Sequence, residues 1–299
     1  MALLSFMSAD NFLYDAETSQ FLKDHAIVKD LTKEYRDPYF HHIFYVDDSN
    51  EEGDTVKSTL KSENSYEGNI GIIIDELTRP GSIAVDMGAH IGVHTIAMSE
   101  KVGSQGAVFS FEPNRKLYLE QLYNLELNGC KNVVPICKAV GECSKRAFYR
   151  WGWIDDSDSS GEGYEVEVAA LDDYNLIDIS LIKIDIENYE YLALQGAINS
   201  ILRSKPVIIF ECYLKCHFDA VSIEDQKINF ERVISLLESL GYEISVIHCC
   251  NFIAFPKDSY PLSIYKKKFQ KLDPDHYDPN EPAARPVNDY RLWFPESLP

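Results

Sequence analysis

The sequence of 299 residues has no CxxC pair, no G-x-G-x-x-G, no run rich in Lys and Arg, and no apolar stretch near the ~20 residues that span a bilayer. Each gap excludes something. Its seven cysteines, at 130, 137, 143, 212, 216, 249 and 250, are scattered and odd in number, which favours reduced thiols in a cytoplasmic protein over a zinc site or a disulfide framework. Basic residues are scarce: 28 Lys and Arg face 48 Asp and Glu, a formal net charge of -20. Such a surface repels phosphate backbones and anionic lipid heads, so no nucleic-acid partner and no membrane span are expected. The opening MALLSFMSADNF lacks the basic flank and long apolar core of a signal peptide.

What the chain does have is a core. Hydrophobic residues make up 45% and aromatics 12%, enough to exclude disorder throughout. From residue 66 to about 256, short apolar runs alternate with amphipathic stretches. Strands are expected at 82–86 (SIAVD), 107–111 (AVFSF), 132–137 (NVVPIC), 180–185 (SLIKID) and 206–210 (PVIIF). Helices are expected at 68–78, after the loop at 88–92, and at 115–128, 189–202 and 229–240. Runs at 242–247 and 251–255 lie close together, as an antiparallel pair would.

Three segments break the rhythm. Residues 1–63 are polar and carry no motif; they read as an extension packing on the core. At 145–170 two alternating runs flank a polar tip, the pattern of a β-hairpin insertion and a candidate substrate lid, with Trp151 and Trp153 as aromatic platforms or as packing beneath it. The end of the chain, 259–299, is Pro-rich, with six of the 13 prolines between 273 and 299, and reads as a tail that docks on the core or on a second copy of the chain. The central domain is therefore drawn at 64–258.

Alternating strands and helices imply a mainly parallel sheet covered on both faces, with ligands at the carboxyl ends of the strands where the strand order switches. The residues that follow each strand are therefore the ones that matter. After the first come Asp86, Gly88, His90 and Gly92: two glycines that let backbone approach a ligand, beside an acid that suits a cation better than a pyrophosphate. After the second come Glu112 and Pro113, where a carboxylate can accept hydrogen bonds from both hydroxyls of a ribose. After the third, Ala139 and Val140 either lie beside an adenine ring or form a plain connecting turn. After the fourth and fifth come Asp185, Glu187 and Glu211, three carboxylates converging on one rim. Like charges held close raise the pKa of at least one and prepare a general base; alternatively their oxygens bind a divalent cation, or Glu187 simply caps the next helix. His94 reads as a packed residue of the first helix, and His217 as an outside candidate near the rim.

Together these segments resemble the FkbM family of methyltransferases: VDMGAHIGV at 85–93, FEPNRKLYLEQLYNLELNG at 111–129, AALDDY at 169–174, LIKIDIENYEYLALQGA at 181–197, PVIIFE at 206–211, and SYEG at 65–68 with Glu67. The resemblance covers about half the chain. It implies a class I, Rossmann-like methyltransferase fold, with seven mainly parallel strands and an antiparallel last strand. It also implies S-adenosylmethionine as cofactor and a hydroxyl as acceptor, on a glycan or small molecule. In the resemblance Asp86, Gly88 and Gly92 line the methionine part of the cofactor, Glu112 holds the ribose and Asp185 faces the reacting centre. Glu67, His90, Pro113, Ala139, Val140 and Asp185 complete the expected cofactor-binding set, and Asp185 is the expected base or metal ligand, supported by Glu187 and Glu211. Two positions depart from the family: His90 stands where Asn is common, and Asn188 where Gly is common. The rival readings are a non-catalytic cofactor-binding protein and another nucleotide-binding Rossmann enzyme.

Overall fold

The computed structural model describes residues 32–47, 54–150, 152–155, 163–213, 222–248, 250–258 and 270–272. The tip of the insertion, Trp151, His217, Cys216, Cys249 and nearly all of the Pro-rich tail lie outside them. The chain divides into two compact units, Met1–Ser65 and Tyr66–Pro299.

In the first unit, where sequence reading found no motif, strands β1 (Thr32–Arg36) and β2 (Ile43–Asp47) form an antiparallel hairpin against helix α1 (Thr55–Lys61). Its turn is organised by Asp37, whose Oδ1 accepts from the backbone N–H groups of Tyr39 and Phe40 at 2.8 and 2.7 Å. Phe44, Val46 and Leu60 supply the buried apolar face.

The second unit is organised by one sheet. Helix α2 (Gly68–Leu77) leads to β3 (Ile83–Met87), whose five residues IAVDM are all buried, the continuous pattern of a central parallel strand. There follow α3 (Val93–Val102), β4 (Ala107–Phe111), α4 (Arg115–Leu127) and β5 (Val133–Ile136). After the insertion come β10 (Ile179–Ile184), helices α5 (Glu190–Gln195) and α6 (Ile198–Ser204), β11 (Val207–Glu211), α7 (Ile223–Ser239), β12 (Tyr242–His248), β13 (Asn251–Pro256) and a two-residue β14 (Gln270–Lys271). The strand order is β14-β12-β13-β11-β10-β3-β4-β5. β13 runs antiparallel to both neighbours while β5, β4, β3, β10 and β11 are mutually parallel. This is the expected seven-stranded sheet with its last main strand reversed, extended by the β14 edge. Pro135 is tolerated because β5 pairs only with β4 and needs no ladder donor on its outer side.

The chain leaves β3 in one direction through β4 and β5, then returns to β3's other side through β10. The switch point therefore lies between β3 and β10, and it decides where the site sits.

Four details depart from the sequence reading. The helix expected at 189–202 breaks into α5 and α6 at Gly196. A Cβ there would lie 2.0 Å from the Gly141 carbonyl oxygen, so backbone meets backbone at that point. Helix α7 begins at 223, six residues before its expected start, because Ser222 caps it: its hydroxyl accepts from Asp225 N–H at 3.1 Å, a contact of the kind worth about 1 kcal/mol. The connecting turn at 139–140 is a short strand, β6 (Ala139–Val140). The insertion is more than a hairpin, since β7 (Lys145–Arg150) pairs with β9 (Tyr164–Ala169) as expected but also with β8 (Trp153–Asp155), giving a small sheet ordered β6-β9-β7-β8.

Candidate functional site at the switch point

Each side of the switch point is built differently. On the β4 side, the loop after β3 folds back on its neighbour: Gly88 and Ala89 both donate to the Phe111 carbonyl, at 3.0 and 2.9 Å. Gly88 has φ +85°, and a Cβ on it would lie 1.8 Å from the Asp185 carbonyl oxygen, so only glycine fits between the two strand ends. Gly92, at φ +94°, opens helix α3. His90 also takes a left-handed conformation, φ 51°, which Asn at that position would tolerate more easily. Its N–H donates to Glu112 Oε2 at 2.8 Å, and Asn114 N–H donates to Oε1 at 2.8 Å. Glu112, 4% exposed, is thus held by two backbone donors from two loops. Burial pushes its carboxyl pKa up, against the pull of His90 and those two N–H groups. Asp86, 1% exposed, accepts from Thr95 Oγ1 at 2.6 Å; its Oδ1 is buried with no hydrogen-bond partner among the described residues.

On the β10 side the contacts run between side chains. Lys183, the one basic residue of the strand ISLIKI, donates from Nζ to Asp185 Oδ2 at 2.9 Å, with side-chain exposures of 4% and 19%. Glu211, at the end of β11, shares a hydrogen bond with the same carboxylate. Two carboxyl groups bond to one another only through a proton, and here Glu211 carries it: burial and the Asp185 charge drive its pKa well up. Burial alone would raise Asp185 too, but Lys183 and the Glu211 proton outweigh it and hold Asp185 below its ordinary value. Lys183 is held charged by Asp185, with Asp86 and Glu67 adding to the pull, despite its burial.

Two residues on, Glu187 and Asn188 occupy consecutive left-handed positions, φ 54° and 71°. Asn tolerates this region, so the turn survives without the family's glycine. Glu187 does not cap the following helix with its side chain, which removes that alternative; it is bonded to Tyr213, while its Oε2 is buried without a hydrogen-bond partner among the described residues. Burial, with Asp185 and Glu190 nearby, lifts its pKa to about 8. The turn is braced from beneath by Glu190, which accepts from Asn188 N–H at 3.0 Å and from Asn229 Nδ2 at 2.6 Å and whose own pKa burial raises to about 7.

Other residues take their places around this frame. Glu67 caps α2 in a left-handed conformation, φ 43°, and its carboxylate lies 3.0 Å from His94 Nε2 and 3.3 Å from Asn251 Nδ2. His94, buried as expected, is therefore also bonded into the rim. Pro113 follows Glu112 and is partly exposed. Ala139 and Val140 lie in β6 with buried side chains, Val140 in the main core and Ala139 in that of the small sheet. That second cluster contains Tyr149 and Tyr189 and packs on Ile186, so the insertion sheet is anchored to the rim turn; Tyr149 also hydrogen-bonds Asn114. Trp153, in β8, is partly buried with an indole N–H that has no partner among the described residues.

Sequence reading named the carboxylates but missed Lys183, Thr95, Tyr149, Tyr213, Asn229 and Asn251. Only Lys183 left a signal, a lone charge inside an apolar strand. The divalent-cation reading finds no ligand set: no group of three or more His, Cys, Asp or Glu among the described residues could hold a metal. Asp185 is paired with an ammonium instead. Cys130, Cys137, Cys143 and Cys212 are free thiols, whereas Cys250 is disulfide-bonded, which corrects the expectation of reduced thiols at that residue. No helix among the described residues is long and apolar enough to cross a membrane.

The family model for the FkbM methyltransferase domain matches residues 86–244, more than half of the chain. Among solved structures, an FkbM methyltransferase from Methylobacillus flagellatus KT is 20% identical, covering 62% of this chain and 50% of its own, with a TM-score of 0.42. This chain therefore spans half the length of that relative. A SAM-dependent O-methyltransferase from Thermotoga maritima is 16% identical over 63% of this chain and 64% of its own, with a TM-score of 0.39. The cofactor-bound Rv0187 from MTB is 17% identical over 65% and 82%, with a TM-score of 0.44. No curated protein matches the sequence at a significant level. Matched by that model from the end of its first central strand to its sixth, the chain belongs to the FkbM family of methyltransferases.

Proposed function

We propose that this chain is an S-adenosylmethionine-dependent O-methyltransferase acting on a hydroxyl of a glycan or small molecule. The observation that carries the reading is the Gly88–Gly92 loop facing Glu112, with Glu112 aimed by two backbone donors and the buried Asp86 Oδ1 left without a partner. These residues fit the cofactor. A rigid carboxylate suits a ribose diol, a Cβ-free loop admits close approach, and a buried carboxylate oxygen with no hydrogen-bond partner among the described residues suits the amino and sulfonium charges. Asp86, Gly88, His90 and Gly92 would line the methionine end, Glu112 the ribose, and Pro113, Ala139 and Val140 the adenine side, with Glu67 bracing the loop from α2.

Bound S-adenosylmethionine supplies a methyl group already activated on sulfur. The chain's own work is then to position the acceptor oxygen and to take up its proton, the task of the Asp185, Glu187 and Glu211 rim. The insertion sheet, anchored on that rim through Ile186 and Tyr189, is the proposed acceptor wall. The net charge of -20 supports an uncharged or cationic acceptor over a nucleic acid. The same balance of charge fits a cytoplasmic protein, and the tail from 259 is the proposed contact between copies.

The test is calorimetry of the full chain with S-adenosylmethionine and S-adenosylhomocysteine, with and without magnesium, followed by a screen of glycan acceptors. Binding of both nucleosides, unchanged by magnesium, is expected. Binding of NAD in their place would overturn the reading.

A further inference from the structure

We infer that Glu187, rather than Asp185, accepts the proton of the acceptor hydroxyl, with the Tyr213 hydroxyl positioning it. The inference rests on the methyl-transfer reading and assigns its proton. Asp185 is fully engaged: its carboxylate takes Lys183 Nζ at 2.9 Å and the hydrogen bond from Glu211. A carboxylate held ionised by an ammonium and a neighbouring carboxyl proton is a weak base, and protonating it would leave the Lys183 charge buried and unpaired. Lys183, Asp185 and Glu211 together form a closed unit of one positive and one negative charge. It fixes the strand ends and has no room for a further proton.

Glu187 is the opposite case. Its turn is locked by Glu190 holding the Asn188 N–H at 3.0 Å, and Tyr213 donates to its carboxylate. That leaves Oε2, buried and without a hydrogen-bond partner among the described residues, as an acceptor already desolvated. A carboxylate in that state gains most by accepting an O–H donor. As the hydroxyl's proton passes to Oε2, the oxygen forms its new bond to the methyl carbon, and the electron pair of the breaking sulfur–carbon bond stays on sulfur. The pKa of about 8 matches the role: a base poised near neutral pH, stronger than an ordinary carboxylate and still partly ionised. The acceptor class follows. An aliphatic alcohol, which does not ionise beforehand, needs this base in the transition state, whereas a phenol depends on it far less.

The experiment uses the full chain and its Glu187→Gln, Glu187→Asp and Asp185→Asn variants. Infrared difference titration, in the presence of S-adenosylhomocysteine, should show a carboxyl group that loses its proton near pH 8 in the parent, at lower pH in Asp185→Asn, where the neighbouring charge is gone, and that is missing in Glu187→Gln. Methyl transfer from labelled S-adenosylmethionine to a panel of methyl glycosides should fall on the order of 100- to 10,000-fold in Glu187→Gln, with loss of the rising alkaline limb that Glu187→Asp keeps. Affinity for S-adenosylhomocysteine should stay within about threefold, because Glu187 is not among the residues assigned to the cofactor. A carboxyl titration identical in the parent and in Glu187→Gln, or a limb unchanged by that substitution, overturns the assignment. Failure of the parent to bind S-adenosylhomocysteine would instead overturn the methyl-transfer reading on which it rests.

Discussion

The two flanks of the switch point solve the same problem, a cluster of buried acids, by different means. On the β4 flank Glu112 is held by backbone: two N–H groups from two loops meet its two oxygens. On the β10 flank the acids are managed by side chains: Lys183 pairs with Asp185, Glu211 keeps its proton, and Glu187 is left with an empty oxygen. Backbone donors cannot titrate and hardly move, which suits the ligand-holding role proposed for the first arrangement. Side chains exchange protons, which suits the proton-accepting role proposed for the second.

The sharpest way to break this contrast is Gly88→Ala, because Gly88 is where the two flanks touch. Its Cβ would meet the Asp185 carbonyl at 1.8 Å, at φ +85°. Overpacking and left-handed strain together should cost about 3–5 kcal/mol. Thermal melting should show a large loss of stability, with binding of S-adenosylhomocysteine abolished; an alanine variant of parental Tm would disprove the close approach. Next is Lys183→Met, which strands the Asp185 charge and should cost about 3 kcal/mol in denaturant unfolding. Asp185→Asn in the same chain should recover much of that loss, since the pair disappears together. Glu112→Gln is milder for the fold. Its amide must face one of the two N–H donors, leaving about 1–3 kcal/mol of unsatisfied hydrogen bonding and weakening S-adenosylhomocysteine binding by roughly 10- to 100-fold in calorimetry.

A smaller effect separates the flanks by pH. Glu187 and Glu190 have folded-state pKa values raised from 4.5 to about 8 and about 7. A raised carboxyl stabilises the fold fully below its unfolded value and loses that contribution as pH climbs through its folded value. Tm should therefore decline from pH 5 to pH 8, and Glu187→Gln should flatten the upper part of the slope. Asp185, lowered by Lys183, acts in the reverse direction and only below its ordinary value of 3.8. Smallest of all is Arg79→Ala, which removes an ion pair to Asp178 whose side chains are 60% and 62% exposed, and should change stability by less than about 1 kcal/mol.

Much of this was legible in the sequence, for identifiable reasons. Strands such as IAVDM and VIIFE are short, apolar and bounded by turn residues, and the acids that follow them fall at strand ends by simple counting. What escaped was set by distant partners. The Gly196 break is dictated by Gly141, and the third strand of the insertion by pairing with β7. The hairpin and helix of the first unit carry no periodic signal strong enough to announce them. At the site, the position of Asp185 could be read, but its state could not. That state depends on Lys183 two residues earlier and on Glu211 across the sheet, and nothing in a linear pattern says which of three acids keeps a proton.

The double anchorage of Glu112 adds a side-chain link between two loops that already meet at the Phe111 carbonyl. His90 and Asn114 belong to different connections, yet both grip one carboxylate, and Asn114 in turn is tied to Tyr149 of the insertion sheet. On the proposed reading, a cofactor seated on Glu112 would bear on both connections and, through Tyr149, on the insertion sheet proposed as the acceptor wall.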